Sequence, residues 1–349
     1  GVFFIVITAI GLREAIIRSI PDAVQTAITP GIGLFITIIG LKNAGIVISN
    51  PATLVSLVDF SQWKIEGADL ALMSSALVAL AGLVIMGMLH ARKVKGSILL
   101  GIVAATLIGI PLGVTHISNL DMNIGMKFRD FAEVSFMKMD FAGLFSGSNM
   151  VETIFTVTML VISFSLVNMF DSIGTLLGAA KQSGMIDENG EVIRMKQALM
   201  SDAISTAAGA MVGTSTVTTV VESSAGIAAG GRTGLTSLVT ALMFLGAILF
   251  APIVSIVPAA ATAPALIFVG ILMLGNIRDV DFSDMSNALP AFCTIVFMPF
   301  TYSIANGVAF GLITYCLMKL TTGRRQDVKV LTLAISVVFV VRYAFMTLG

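Results

Sequence analysis

GTSTVTTVVESSAGIAAGGRTG, residues 213–234, decides how the rest of the chain is read. Thr214 to Val221 is almost wholly threonine and valine, β-branched residues that favour extended backbone over helix. One carboxylate, Glu222, closes the run. Ser223, Ser224, Ala225, Gly226, Ala228 and Ala229 follow, small residues suited to a closely packed half-helix. In a bilayer, extended backbone survives only where protein or a water-filled cavity satisfies its N–H and C=O groups. A strand entering a half-helix, with an acid at the junction, is how secondary transporters build a substrate site near the midplane. The competing reading is a polar re-entrant loop with Glu222 at the aqueous surface.

Composition supplies the bilayer. Of 349 residues, 56% are hydrophobic and 11% charged, against about 25% charged in ordinary soluble domains. Repeated apolar runs of roughly 18 residues or more predict an all-α polytopic membrane protein. Lys plus Arg equals Asp plus Glu at 20 each, so no global field points to nucleic acid. Cys293 and Cys316 sit in apolar segments and read as buried hydrophobes. His90 and His116 lie at the ends of apolar spans, so no metal and no cofactor is expected.

The chain opens on GVFFIVITAIG, apolar at once and without a basic n-region. It reads as the second half of a membrane helix, and the chain as a fragment. LREAIIRSIPD follows as an amphipathic linker carrying Arg13 and Arg18. Spans are expected at 23–48, interrupted by Pro30, Gly31 and Gly33, and at 69–89, 97–115, 150–180, 198–212, 235–257 and 262–275. Residues 288–320 read as two short spans broken by Pro299 and Asn306. The segment 330–347 fits a span or an interfacial helix equally. Trp63, in a mostly polar loop, reads as an interfacial anchor. The basic cluster from His90 to Lys95 and the stretch Lys319 to Lys329 belong on the cytoplasmic side, in keeping with about eleven to twelve alternating spans. There is also an internal echo. TPGIGLFITIIG (29–40) and TAPALIFVGILML (262–274) share an early proline, a small-residue position and a β-branched apolar run, the pattern of repeat-built transporters.

Three intramembrane acids, Asp171, Asp202 and Glu222, each cost roughly 2.5–3.5 kcal/mol to insert, and packing gives no reason to keep them. In FDSIGTLLG, Ser172, Gly174 and Thr175 can surround Asp171 with hydroxyls and backbone donors; a capping carboxylate near an interface is the alternative. Asp202 lies near the cytoplasmic end of its span, where a structural hydrogen-bonding role stands level with substrate contact. The glycines of GIAAGGRTG suit a tight turn, since no strand–GxxxxGK[ST]–helix pattern accompanies them.

LVNMFDSIGTLLGAAKQSG (166–184), residues 213–253, GLREAIIRSIP (11–21) and GIGLFITIIGLKNAGIV (31–47) closely resemble the adenine/guanine/hypoxanthine permease branch of the nucleobase:cation symporter-2 superfamily. The resemblance covers essentially the whole chain. It implies a 7+7 inverted-repeat fold with core and gate domains, a purine nucleobase bound between them, and protons driving uptake across the cytoplasmic membrane. The first three segments, with the partner strand, would lie outside this chain, which would begin within the fourth. The domains expected are 1–22 (end of a core segment and linker), 23–115 (gate), 116–149 (extracytoplasmic loop), 150–257 (core, with the site), 258–322 (gate) and 323–349 (basic stretch and apolar segment). The resemblance assigns substrate binding to Asp171 and Glu222 and support to Asp202; Thr219 and Ser223 are expected beside the substrate, Asp171 and Glu222 are the candidates for proton coupling, and Asn168, Ser172 and Thr175 are expected to support the site. Relatives often carry an acid where Asn168 stands. The partners implied are purine, proton, lipid and, as a candidate, a second copy of the chain. An anion carrier of the related sulfate-permease fold would want no acids facing its substrate. An intramembrane enzyme would want a nucleophile–base pair, and none is evident.

Overall fold

The computed structural model describes residues 1–61, 70–116, 131–140, 175–180, 183–188, 192–220, 223–250 and 256–348, with residues 129, 143, 153, 154, 157, 161, 165, 168, 169, 172, 173 and 254 between them. Trp63, Asp171, Glu222 and most of the loop 116–149 lie outside the described residues. Among the described residues, four helices are long and apolar enough to cross a membrane: Asp22–Asn43, Leu70–Ala91, Ala259–Asp279 and Ile304–Thr321. Shorter apolar helices occupy Ser97–Gly109, Gly234–Phe250, Met285–Phe300 and Val330–Ala344. The chain divides into two compact units, one made of 1–29, 123–236 and 277–349, the other of 30–122 and 237–276.

In the first unit, α1 (Val2–Ala9) packs on the helix Met195–Val212, and α2 (Leu12–Ser19) follows after a turn at Gly11. Next comes α3 (Asp22–Asn43), within which the unit boundary falls at Pro30. The sequence suggests an interruption at Pro30, but the helix is continuous. A proline removes one bond from the helical ladder without ending it.

The second unit continues with a hairpin that the sequence reading passes over as polar loop. Strands β1 (Val47–Asn50) and β2 (Leu54–Leu57) pair antiparallel, Val47 opposite Leu57. Asn50 closes the turn, its Oδ1 accepting from the Ala52 amide at 2.9 Å. Helices α4 (Leu70–Ala91) and α5 (Ser97–Gly109) then pack with the later helix Ala259–Leu274 around Val78, Ala105, Ala260 and Ala261.

After α6 (Met195–Val212), α7 (Ser223–Ala228) is the half-helix expected from its small residues. Helix α8 (Gly234–Ala247) is apolar and has no buried residue. Helix α9 (Ala259–Leu274) lies antiparallel along the second half of α3. A Cβ built on Gly270 would fall 2.6 Å from the Gly33 carbonyl oxygen, and one on Gly40 would fall 3.0 Å from that of Ala263. The backbones approach so closely that only glycine fits.

Helices α10 (Met285–Phe300), α11 (Ile304–Thr321) and α12 (Val330–Leu348) complete the first unit. The break expected at Pro299 and Asn306 falls between them: Pro299 is inside α10, and Ser303 caps α11 by accepting from the Asn306 amide at 3.3 Å. Helix α12 is docked at both ends. Thr332 Oγ1 donates to the Ser19 carbonyl at 2.6 Å, and Tyr343 Oη donates to Asn306 Oδ1 at 3.0 Å. Cys293 and Cys316 are buried free thiols.

Candidate functional site

Gly213 ends α6 in the left-handed region, at φ +80°, and turns the chain back on itself. A Cβ there would fall 2.5 Å from the Ser135 carbonyl oxygen, so glycine is required twice over. Thr214 N–H donates to the Gly209 carbonyl at 3.0 Å, sealing the helix end. The Thr/Val run then retraces α6 without helical bonds. Thr206 Oγ1 donates to the Val217 carbonyl at 3.1 Å, and Asp202 Oδ1 accepts from Thr218 Oγ1 at 2.8 Å and from the Thr219 amide at 3.3 Å. The lengths match: Asp202 to Gly209 is about 10 Å of helix, and Thr214 to Thr218 about 13 Å of extended chain. Side chains of α6 thus satisfy the Val217 carbonyl and the Thr219 amide of the extended run.

Asp202 is the hub. Its side chain is 1% exposed, and its Oδ2 accepts from Arg13 Nη2 at 2.8 Å, the arginine side chain being 0% exposed. Arg13 Nη1 also donates to the Leu199 carbonyl at 3.2 Å, and the guanidinium lies 4.6 Å from the Phe4 ring centroid. Sequence reading placed Arg13 on an amphipathic linker; the structure buries it. The signal that could have found it is the rule that an intramembrane acid needs a cation, with Arg13 and Arg18 the basic residues of the first 20.

On the far side of Thr218 stands Ser172, fully buried, with its Oγ 2.6 Å from Thr218 Oγ1. This contact brings the segment that carries Asp171 against the stretch that leads to Glu222. Thr175, also buried, donates to the Ser172 carbonyl at 3.2 Å. Asn168, on the same segment, has a buried Nδ2 with no hydrogen-bond partner among the described residues. Thr219 is half-buried and Ser223 exposed. Asp202, Ser172, Thr218 and Thr219 therefore form one hydrogen-bonded group, and the Thr175 hydroxyl adjoins it at the Ser172 carbonyl. A separate open groove of about 510 Å³ runs along α6 past Lys196, Met200 and Ile204, and none of these hydrogen-bonded residues lines it.

The model of a family described as Permease family matches residues 1–310. The chain is 38% identical over 341 residues to adenine permease AdeP of Escherichia coli (strain K12), covering 98% of this chain and 71% of that protein. It is 36% identical over 353 residues to guanine/hypoxanthine permease PbuO of Bacillus subtilis (strain 168), covering 98% and 75%. Guanine/hypoxanthine permease PbuG of the same organism is 33% identical over 349 residues, at 99% and 74% coverage. Apolar helices and a family match through most of the length make this an integral membrane protein. The chain belongs to the permease family, within the nucleobase:cation symporter-2 family.

Proposed function

We propose that the chain is part of a proton-coupled secondary transporter that imports purine nucleobases across the cytoplasmic membrane. The observation that carries this reading is the Ser172–Thr218 contact at 2.6 Å, anchored on Asp202. It joins the sequence neighbours of two membrane acids, Asp171 and Glu222, through buried polar groups that packing alone does not call for. A purine offers ring and exocyclic N–H groups on one edge and acceptor nitrogens on another. Asp171 and Glu222 would accept from the first, with Thr219 and Ser223 beside them, and Asn168 Nδ2, without a partner among the described residues, would donate to the second. Relatives named for adenine and for guanine/hypoxanthine support the substrate class.

The inverted-repeat architecture belongs to the same proposal. If Thr29 is set against Thr262, an offset of 233, Thr37 falls on Gly270, Gly33 on Leu266 and Gly40 on Met273. Thr37 lies directly against Gly270, Gly33 against Met273, and Gly40 against Ile267, one residue from Leu266. These contacts follow from antiparallel packing at any offset, so what supports a two-fold axis in the membrane plane is the sequence echo between 29–40 and 262–274.

The test is uptake of radiolabelled hypoxanthine by the intact protein in vesicles under an imposed pH gradient, competed with adenine, guanine, uracil and sulfate. Saturable accumulation that collapses with the gradient and yields to purines is the expected result. Competition by sulfate alone would favour an anion carrier, and no accumulation would end the proposal.

A further inference from the structure

We propose that Arg13 is a positioning residue of this site, acting through Asp202 to pin Thr218 and Thr219 and to order the hydroxyl chain that ends at Ser172. An arginine cannot be deprotonated in a protein, and an unpaired buried guanidinium is very costly, so Asp202 stands opposite it as a carboxylate. A carboxylate accepts and never donates. Thr218 must therefore spend its one hydroxyl proton on Asp202 Oδ1, at 2.8 Å. Its oxygen is then free to accept, and the proton in the 2.6 Å contact comes from Ser172. The Thr219 amide is held by the same carboxylate oxygen at 3.3 Å. One cation, 189 residues away from Asp202 in sequence, thus fixes the direction of every bond from Asp202 to Ser172. Ser172 is left with lone pairs alone for its surroundings, so neighbouring carboxylates must find their donors elsewhere, on backbone or ligand.

This inference rests on the purine reading for its functional arm but not for its structural one. The experiment uses the intact protein in detergent, comparing the unmutated form with Arg13→Lys and with the double variant Arg13→Gln/Asp202→Asn. Two readouts are taken: hydrogen exchange at the Thr219 amide, and equilibrium binding of radiolabelled hypoxanthine and adenine. A Gln–Asn pair fills a similar volume but can be turned either way, so Thr218 and Thr219 no longer meet an obligatory acceptor. The double variant is expected to lose protection at Thr219, and purine affinity, by about tenfold or more each, while α1 and α6 amides keep theirs. Arg13→Lys, which retains the charge, is expected to keep Thr219 protected. Unchanged Thr219 protection in the double variant overturns the proposal. So does lost protection with unchanged purine affinity, since Arg13 would then be structural only. Failure of the purine reading looks different: the unmutated protein binds neither base, while Thr219 still loses protection in the double variant, which supports the pinning role.

Discussion

The two units are held together by opposite chemistries. In the first, α1, α2 and α6 enclose a buried ion pair, Arg13–Asp202, whose hydrogen bonds run outward to Thr218, Thr219 and Ser172. In the second, α3 and α9 meet through Gly33, Gly40 and Gly270, close against the backbone of the facing helix. Between apolar helices in a bilayer, close van der Waals approach is the attraction available, and small residues supply it. A buried polar cluster in a bilayer protein is expensive, and is kept where something polar has to be held. The first chemistry is specific and fragile; the second is tolerant in chemistry and strict in volume. That difference predicts how each unit breaks.

The largest effect is expected at the ion pair. Arg13→Met removes one partner and leaves Asp202 buried and uncompensated, which typically costs about 3–5 kcal/mol. Thermal unfolding in detergent should show it, and adding Asp202→Leu should recover much of the loss. If Arg13→Met alone is as stable as the unmutated protein, the polar hub does not hold this unit together.

The glycine contact should break by volume instead. Gly270→Ala puts a methyl group 2.6 Å from the Gly33 carbonyl oxygen, and overpacking of this kind costs about 1–3 kcal/mol. Gly87, in α4, has nothing within 4 Å of a built Cβ, so Gly87→Ala should be neutral or stabilising by up to about 1 kcal/mol. Equal effects at the two positions in a thermal melt would mean that helix propensity, and not close approach, sets the response.

How much of this was legible in the sequence follows the same division. Local chemistry read correctly: Gly213 ends α6, the β-branched run leaves the helix, and Ser223–Ala228 forms the half-helix. The echo between 29–40 and 262–274 also led to segments that meet. What the sequence hid was either non-local or cooperative. Arg13 and Asp202 lie 189 residues apart, and nothing local to LREAIIRS distinguishes a buried arginine from a solvated one. The 47–57 hairpin is four residues a strand, too short for alternation to stand out beside a polar turn. Pro30 read as a break because propensity is a weak prior that packing overrides. Asp171 and Glu222 fall outside the described residues, so their roles stay proposals.

A smaller effect is expected where the run of threonines is tied down by a neutral bond. Thr206→Val keeps the shape but removes the donor to the Val217 carbonyl, worth about 0.5–1.5 kcal/mol in stability. Hydrogen exchange at 217–219 should rise in that variant while the Arg13–Asp202 end keeps its protection. A uniform rise along α6 would mean that the run is not anchored at separate points.

The smallest effect belongs to the exposed counterpart of the buried pair, and it asks whether burial or polarity gives the hub its strength. Asp284 caps α10: its carboxylate accepts from the Ser286 amide at 2.9 Å, from Ser286 Oγ at 2.9 Å, and from Arg324 Nη1 at 2.7 Å. The Ser286 amide first, then the Ser286 hydroxyl and Arg324, hold its pKa down to about 2, from an ordinary 3.8. A carboxylate depressed on folding lends stability that is fully present above its unfolded value and is lost as pH falls through the folded one. The Asp284 contribution should therefore be flat from neutrality to about pH 4 and disappear between about pH 4 and 2. Asp284→Asn removes the charge but leaves an oxygen for the cap. The stability difference between the two proteins should thus be small at pH 7, shrink towards zero near pH 2, and weaken with added salt, because water and ions screen a pair at the surface. Arg13–Asp202, enclosed by α1, α2 and α6, should show no such salt dependence. If salt weakens both pairs alike in paired melts, burial is not what separates them, and the contrast between hub and surface cap fails.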